Sequence, residues 1–135
     1  MVGAEREDIV SGGPVQRYRD LIAWQRAMDL AAAVYKATES LPKAEQYGLT
    51  SQLRRAVVSV PSNIAEGQGR RSMGEFLQSL GHARGSLLEI ETQILLAARL
   101  GYFKAEQADE LLVLASATAR VLNGLINSLN QKKPR

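Results

Sequence analysis

Residues 58–72 read VSVPSNIAEGQGRRS and mark the point where one helical pattern ends and another begins. Pro61 lies inside an apolar helical pattern that continues to Ile64, so we expect the helix to bend at the proline rather than end there. Gly67 and Gly69 then favour a turn. The segment lacks the lysine and the preceding strand of a phosphate-binding loop. It therefore predicts a proline-containing helix followed by a tight turn.

The residues on both sides of this segment repeat at the three- and four-residue spacing of amphipathic helices. Ser72 is a suitable N-cap for the next helix, with Glu75 three residues later as its capping-box partner. Pro42 ends the first pattern, a new helix is expected to start near Ala44, and Gly101 caps the third helix. The predicted core stripes of the four helices are Leu21, Trp24, Met28, Ala31 and Tyr35; Leu49, Leu53, Val57, Val60 and Ile64; Phe76, Leu80, Ala83, Leu87, Ile90, Ile94 and Ala97; and Leu111, Ala115, Thr118, Leu122, Leu125 and Leu129.

Four helical patterns with short connections and no convincing strand predict an all-α fold. The expected architecture is an antiparallel, up-down-up-down four-helix bundle. We expect a flexible N-terminal arm over residues 1–17, the bundle over residues 18–131, and a basic C-terminal tail over residues 132–135.

The third and fourth helices carry more apolar residues than one core stripe requires. A wide core face would explain them, and so would a second face buried against another subunit, because monomers rarely leave large apolar patches in water. The additional residues are Leu77, Leu88 and Leu95 in the third helix and Leu112, Leu114 and Val121 in the fourth.

Composition excludes several classes of site. The 135 residues include no cysteine and one histidine, His82, so disulfides, thiolate metal sites, cysteine nucleophiles and multi-histidine metal sites are ruled out. His82 has no identifiable catalytic partner and no carboxylates form a convincing pair, so we expect a non-enzymatic protein without metal or cofactor. No apolar run approaches the roughly 18–20 residues of a membrane span, and no signal peptide is recognisable, so we expect a cytoplasmic protein.

Positive charge is unevenly distributed along the chain, although the net charge is only +3. In the predicted topology, the start of the first helix, the turn between the second and third, and the end of the fourth meet at one end of the bundle. We call this end the basic pole. The predicted nucleic-acid-binding residues of the basic pole are Arg17, Arg19, Arg70, Arg71, Lys132, Lys133 and Arg135. Such a cluster suits contacts to the RNA or DNA backbone without base readout, and the alternative is an ordinary solvated surface.

The segments RRAVVSVPSNIAEGQGRRSMGEF and GHARGSLLEIETQILLAARLGY resemble the four-helix-bundle family associated with intervening sequences of 23S ribosomal RNA. This family also includes the accessory protein of diversity-generating retroelements. The resemblance extends from about Tyr18 to the end of the fourth helix. The motif residues to which we assign a structural role are Pro61, Asn63, Glu66, Gly67 and Gly85.

These motif residues also have expected physical roles. Asn63 and Glu66 lie on one helical face, where they are expected to hydrogen-bond groups freed by the kink at the proline or to cap the neighbouring helix. A ligand role is the alternative. Gly81 and Gly85, with Ser86, form a patch of small residues that would allow another helix to approach closely.

The resemblance implies a cyclic homopentamer with a barrel shape. It also implies nucleic acid and a reverse transcriptase as partners if the chain is of the retroelement type, whereas the ribosomal members have no clear biochemical activity. Two functional hypotheses follow. The first is a non-enzymatic homo-oligomer that binds nucleic acid or a nucleoprotein partner through the basic pole, and the second is a protein-interaction scaffold without a direct nucleic-acid role.

Overall fold

Four α-helices make up most of the computed structural model, which describes Ile9 and residues 17–132. The helices are α1 (Ile22–Thr38), α2 (Leu49–Gln68), α3 (Met73–Arg99) and α4 (Ala105–Lys132), with short 3₁₀ turns at Tyr18–Asp20 and Lys43–Glu45. Each helix packs against the next one along the chain, and α4 packs against α1, whereas the diagonal pairs of described helices bring no Cα atoms within 8 Å of each other. The predicted all-α, up-down-up-down antiparallel bundle is therefore confirmed.

Most of the predicted N-terminal arm and part of the predicted C-terminal tail lie outside the described residues. Lys133 and Arg135 are among these, so their placement at the basic pole stays a prediction. Ile9 is described, and its partly buried side chain packs against the hydrophobic core.

The sequence signals for the helix ends are largely confirmed. α2 continues through Pro61, and the Ser72 hydroxyl accepts the backbone N–H of Glu75 at 3.1 Å at the start of α3. Gly101, with φ of +79°, follows the end of α3 in the left-handed region that favours glycine. The start of α2 was predicted too early: Ala44 lies in a 3₁₀ turn, and the helix begins at Leu49.

The predicted core stripes of α2, α3 and α4 are correct, because their residues are buried apart from the half-buried Phe76 and Leu129. The stripe predicted for α1 is wrong in part: Met28 is 44% exposed and Tyr35 is 41% exposed. The large side chains dominated the sequence pattern, whereas α1 faces the core mainly with smaller residues. The buried residues of α1 are Ala23, Ala27, Leu30, Val34, Ala37 and Thr38.

The additional apolar residues of α3 and α4 have different environments. In α4, Val121 is buried, and Leu112 and Leu114 are half-buried against the core, so this helix has a wide core face. In α3, Leu88 is 60% exposed and Leu95 is 56% exposed. The bundle therefore leaves an apolar strip of α3 without a partner in the described chain.

Polar pairs recur along the contact between α2 and α3. The Ser59 hydroxyl donates to the Ala56 carbonyl at 2.7 Å, and its oxygen lies 2.6 Å from the Ser86 hydroxyl oxygen. Seven residues earlier in α2 and seven residues later in α3, Gln93 Nε2 lies 3.4 Å from Gln52 Oε1. Because both helices carry these residues at a seven-residue spacing, the pairs fix the antiparallel register of α2 on α3.

The polar motif residues Asn63 and Glu66 differ in their contacts. The Asn63 amide donates to the Ser59 carbonyl at 2.8 Å, one turn back along the same helix and across Pro61. Glu66 is exposed. Asn63 thus bonds to the backbone beside the proline, but the carbonyl that Pro61 deprives of its helical donor is that of Val57, so this bond is neither of the two expected arrangements.

Gly67, which was expected to lie in the turn, lies inside α2, where α3 leaves no room for a side chain. A Cβ atom on Gly67 would lie 2.8 Å from the Ser79 Cβ and 2.9 Å from the Phe76 Cδ1, which are closer than normal carbon contacts. Gly81 and Gly85 behave differently: both are exposed, and a Cβ on either would meet no described atom within 4 Å. The expected close helix approach at Gly81 and Gly85 is therefore not made within the described chain.

At the pole opposite the basic pole, the Glu45 carboxylate bonds to two different parts of the chain. Glu45 accepts the backbone N–H of Leu49 at 3.1 Å, which satisfies a free donor at the start of α2. It also accepts the Tyr102 hydroxyl at 3.0 Å, and this hydrogen bond raises the pKa of Tyr102. Glu45 thus links the α1–α2 and α3–α4 connections.

Among the described helices, α4 is the one whose length and composition would allow it to cross a membrane, with mean hydropathy 1.3 over an 18-residue window. This differs from the sequence expectation that no segment would reach that range. Of that window 28% is buried in the bundle, and α4 contributes residues such as Leu111, Leu122 and Leu125 to the common core.

We predict that Gly67→Ala destabilises the bundle, because the new methyl group would force α2 and α3 apart. Overpacking of this kind typically costs about 1–3 kcal/mol. The measurement is the free energy of unfolding from denaturant titration. Gly124→Ala is the matched control, since a Cβ at Gly124 meets no described atom within 4 Å and alanine favours a helix interior by roughly 0.5–1 kcal/mol. Equal stabilisation by both substitutions would contradict the close contact at Gly67.

We also predict a pH-dependent difference between the wild-type chain and Tyr102→Phe. In the unfolded chain a tyrosine titrates near pH 10, and the Glu45 bond raises the pKa of Tyr102 in the folded chain. The bond therefore contributes its full stabilisation below about pH 10 and loses it as the pH rises through the raised pKa. The stability advantage of the wild type over Tyr102→Phe should shrink as the pH is raised above about 10 in parallel unfolding titrations, and a constant advantage would contradict the bond.

Candidate nucleic-acid interface

The α2–α3 turn presents Arg70 and Arg71 from a constrained backbone. The Gly69 N–H bonds to the Ala65 and Glu66 carbonyls, and the Arg70 N–H bonds to the Gly67 carbonyl at 3.1 Å. Ser72 then caps α3, immediately after Arg71. Both arginine side chains are exposed, so the turn holds two cations at fixed backbone positions at the end of the bundle.

The chain enters α1 at the same end of the bundle. The Tyr18–Asp20 turn packs against α2 as well as α1, and Asp20 Oδ2 accepts the backbone N–H of Arg17 at 3.2 Å. The Tyr18 ring meets the Trp24 ring edge-on, with centroids 5.3 Å apart. These contacts hold the turn on the bundle while the side chains of Arg17 and Arg19 stay exposed.

The topology brings the predicted basic residues of the described chain to one pole. Lys132 ends α4 at this pole and is exposed. The pole has five described cations and three carboxylates, a net charge of 5 − 3 = +2. The cations are Arg17, Arg19, Arg70, Arg71 and Lys132, and the carboxylates are Asp20, Glu66 and Glu75. The opposite pole has four cations and five carboxylates, a balance of 4 − 5 = −1. Its members are Lys36, Lys43, Arg99 and Lys104 with Glu39, Glu45, Glu106, Asp109 and Glu110.

Side-chain charge rather than helix dipoles sets the potential at the basic pole. α1 and α3 begin there, while α2 and α4 end there. Two positive and two negative helix ends therefore lie together and largely offset one another. The exposed guanidinium and ammonium groups remain as the net source of positive potential.

Sequence reasoning missed the net positive charge along the sides of the bundle. Between the poles the described chain carries Arg26, Arg54, Arg55, Arg84 and Arg120 against Asp29, Glu89 and Glu91, a balance of 5 − 3 = +2. Arg54 is already engaged: its guanidinium lies 4.8 Å from the Tyr35 ring centroid, and its Nε donates to the Thr38 hydroxyl at 2.9 Å. The contrast in charge is thus between the opposite pole and the rest of the surface.

Two surface grooves lie between neighbouring helices of the described chain. One, of about 620 Å³, lies between α1 and α4 and is lined partly by Lys36, Glu39 and Glu110. The other, of about 460 Å³, lies between α3 and α4 and includes Arg84, Glu91, Asn123 and Asn127. His82 is exposed and lines neither groove, and the described residues contain no cluster of three potential metal ligands. The α3–α4 groove could not be predicted, because it depends on the register of two helices.

The fold and the surface define a class of protein: an antiparallel four-helix bundle that is net positive at one pole and along its sides and net negative at the other pole. Within that class, the family profile described as 23S rRNA-intervening sequence protein matches residues 19–124. The chain belongs to this family, and the resemblance recognised in its sequence motifs is confirmed.

A solved structure has the same fold. It is the crystal structure of a protein of unknown function from the S23 ribosomal protein family of Bacteroides thetaiotaomicron. The two chains share 19% sequence identity with a TM-score of 0.73, and the match covers 78% of this chain and 96% of that one. At this identity the likeness concerns the fold alone. Comparison with curated proteins finds no match to the chain.

Proposed function

We propose that the protein is a non-enzymatic, cytoplasmic homo-oligomer that binds the phosphate backbone of RNA or DNA through its basic pole. The observation that carries the proposal is the convergence of Arg17, Arg19, Arg70, Arg71 and Lys132 at one end of the bundle. Lys133 and Arg135 follow directly in the sequence and add to the same pole under this proposal.

The surface chemistry favours contacts to phosphate over readout of bases. Arginine and lysine neutralise phosphates and release counterions, which gives affinity without sequence specificity. Base stacking requires accessible aromatic faces, and this pole offers few of them: Tyr18 is 37% exposed but in edge-on contact with Trp24, and Phe76 is half-buried. The proposed ligand is therefore a structured or single-stranded nucleic acid recognised through its backbone.

The family resemblance implies five copies, and we include the homopentamer in the proposal. In a cyclic assembly whose bundles lie along the symmetry axis, every copy presents its basic pole at the same end. Each added copy then supplies its own set of cations to one polyanion. Avidity rises with the number of copies without any new type of contact.

We predict that Arg70→Glu/Arg71→Glu weakens binding to structured RNA and lowers its dependence on salt. Each lost phosphate contact should reduce the slope of log K against log[salt] by about 0.7–0.9, so loss of both should reduce it by roughly 1.4–1.8 per bound chain. The measurement is filter binding over a salt series with full-length protein.

The matched control carries the same charge change at the opposite pole. Lys43→Glu/Lys104→Glu reverses two exposed cations there and leaves the basic pole unchanged. We expect this variant to keep the wild-type salt slope, with at most a uniform loss of affinity. Equal effects of the two double variants would show that net charge rather than the basic pole governs binding.

A protein-interaction scaffold is the second candidate, and exposed apolar residues favour it. Tyr47 and Leu100 are both exposed at the opposite pole, on the connections that Glu45 and Tyr102 link. A reverse transcriptase is the partner that the resemblance suggests for such a surface. If wild-type protein binds neither RNA nor DNA at physiological salt, the scaffold function replaces nucleic-acid binding.

A further inference from the structure

Two exposed glycines in the middle of α3 have no explanation within the described chain. A Cβ on Gly81 or Gly85 would meet nothing within 4 Å. Glycine in a helix interior costs roughly 0.5–1 kcal/mol relative to alanine. The bundle itself therefore gains nothing from glycine at either position, in contrast to Gly67, where α3 leaves no room for a side chain.

The same strip of α3 carries the two most exposed leucines of the described chain. Leu88 and Leu95 follow Gly81 at seven-residue intervals, so the three lie on one side of the helix. Leu88 also lines the groove shared with Ala119, Asn123 and Asn127 of α4. We call this surface the α3 face, formed by Gly81, Gly85, Leu88 and Leu95; it combines a flat glycine segment with an apolar one.

A second exposed apolar surface lies on α1 and α2. Met28 and Tyr35 are seven residues apart on α1, and Val58 on α2 is 44% exposed. The Arg54 side chain of α2 covers one side of the Tyr35 ring, which places Tyr35 at the α1–α2 seam. We call Met28, Tyr35 and Val58 the α1–α2 face.

The α3 face and the α1–α2 face lie on opposite sides of the bundle. Viewed along their axes, the four helices occupy the corners of a square, with consecutive helices as neighbours and α4 beside α1. The side made by α1 and α2 is therefore opposite the side made by α3 and α4. An isologous two-fold contact needs only one such face, whereas a head-to-tail contact needs two different ones.

The two faces also match in height along the bundle. Val58 is adjacent to Ser59, which pairs with Ser86, so Val58 lies at the height of Leu87 and close to the height of Leu88.

Met28 of α1 can be placed at a height in the same way. Tyr35 contacts Arg54, and Met28 lies seven residues nearer the basic pole than Tyr35, at the height of Pro61 in α2. By the Ser59–Ser86 register, that level falls between Gly81 and Gly85 on α3. The large Met28 side chain is therefore level with the glycines.

We propose that the α3 face of one copy of this chain docks on the α1–α2 face of a second copy in the same orientation. This inference rests on the proposed homo-oligomer and identifies its contact surfaces. Met28 of one copy fills the space over Gly81 and Gly85 of the next, and Val58 packs against Leu88. A large side chain of one copy thus packs over glycines of the next copy. This arrangement gives the close helix approach that is not made within a single bundle.

Charge at the two faces agrees with this orientation. Arg54 is two residues from Gln52, and Glu91 is two residues from Gln93, so the Gln52–Gln93 pair places Arg54 and Glu91 at one level. Arg54 bonds to Thr38 and to the Tyr35 carbonyl, and these use two of its five N–H donors. Side-by-side copies in the same orientation bring the remaining donors towards Glu91.

The test uses the absence of native cysteine. In Val58→Cys/Leu88→Cys, the two thiols lie on opposite sides of one bundle and cannot form a disulfide within a chain, which requires Cα atoms roughly 4.4–6.8 Å apart. Docking of copies brings the thiol introduced at position 58 of one copy beside the thiol introduced at position 88 of the next. We predict that mild oxidation gives a ladder of dimers, trimers and larger covalent species on a non-reducing gel.

The single variants and a displaced pair are the controls. Val58→Cys and Leu88→Cys alone should stay monomeric on the gel, as should Val58→Cys/Gly124→Cys, because Gly124 lies outside both faces. Covalent dimers from Leu88→Cys alone would overturn the proposal in favour of a two-fold contact. A wild-type chain that sediments as an oligomer while the double variant gives no ladder would also overturn it and would leave oligomerisation intact.

A second pair of variants separates assembly from folding. Gly85→Gln should keep the helical circular dichroism of the wild type but raise the dissociation constant of the oligomer at least about tenfold, because the side chain fills the space that Met28 needs. Gly124→Gln has the same gain in helix propensity and should keep the wild-type mass in sedimentation. A wild-type chain that is monomeric throughout would refute the oligomer itself, and RNA binding by that monomer would still support the nucleic-acid function.

Discussion

The contact between α2 and α3 at Gly67 is the constraint on which the rest of the structure depends. The two backbones approach so closely that a single carbon at Gly67 would collide with both Ser79 and Phe76. Further along the same contact between α2 and α3, the short side chains of Ser59 and Ser86 meet. The close approach at Gly67 makes a short, capped turn sufficient to join the helices, so Arg70 and Arg71 are held at the end of the bundle rather than on a long loop. Packing at one glycine thus positions part of the proposed binding surface.

Helix ends and three of the four core stripes could be predicted from the sequence because their signals are local. Ser72 has a hydroxyl at the right distance from the Glu75 backbone, and Gly101 adopts a conformation that few other residues tolerate. The stripe of α1 was misassigned for a physical reason. A periodic pattern is recognised mainly from its large apolar residues. Ala23 and Ala27 nevertheless face the core, because a small side chain lets α1 pack closely there. Met28 and Tyr35 repeat just as regularly on the other side.

The basic pole could be predicted because it follows from topology alone, whereas the features between the poles could not. An up-down-up-down bundle must bring Arg17, Arg70 and Lys132 to one end, whatever the details of packing. The α3–α4 groove and the engagement of Arg54 by Thr38 and Tyr35 depend on the register and rotation of helices, to which distant residues contribute. Sequence spacing within one helix carries no information about the neighbour opposite.

In the proposed assembly, the position of the apolar faces agrees with the charge of the poles. Copies in the same orientation bring several basic poles together, and their repulsion is screened only beyond about 8–10 Å at physiological salt. Contacts made at that pole would add directly to the repulsion, so a same-orientation assembly must gain its stability elsewhere. Leu88 and Val58 lie level with one another near the middle of the helices, away from the basic pole. Under the proposals made above, apolar contact along the sides holds the copies together, and the cations of the basic pole attract a polyanion. Binding of that polyanion would relieve the repulsion and favour assembly.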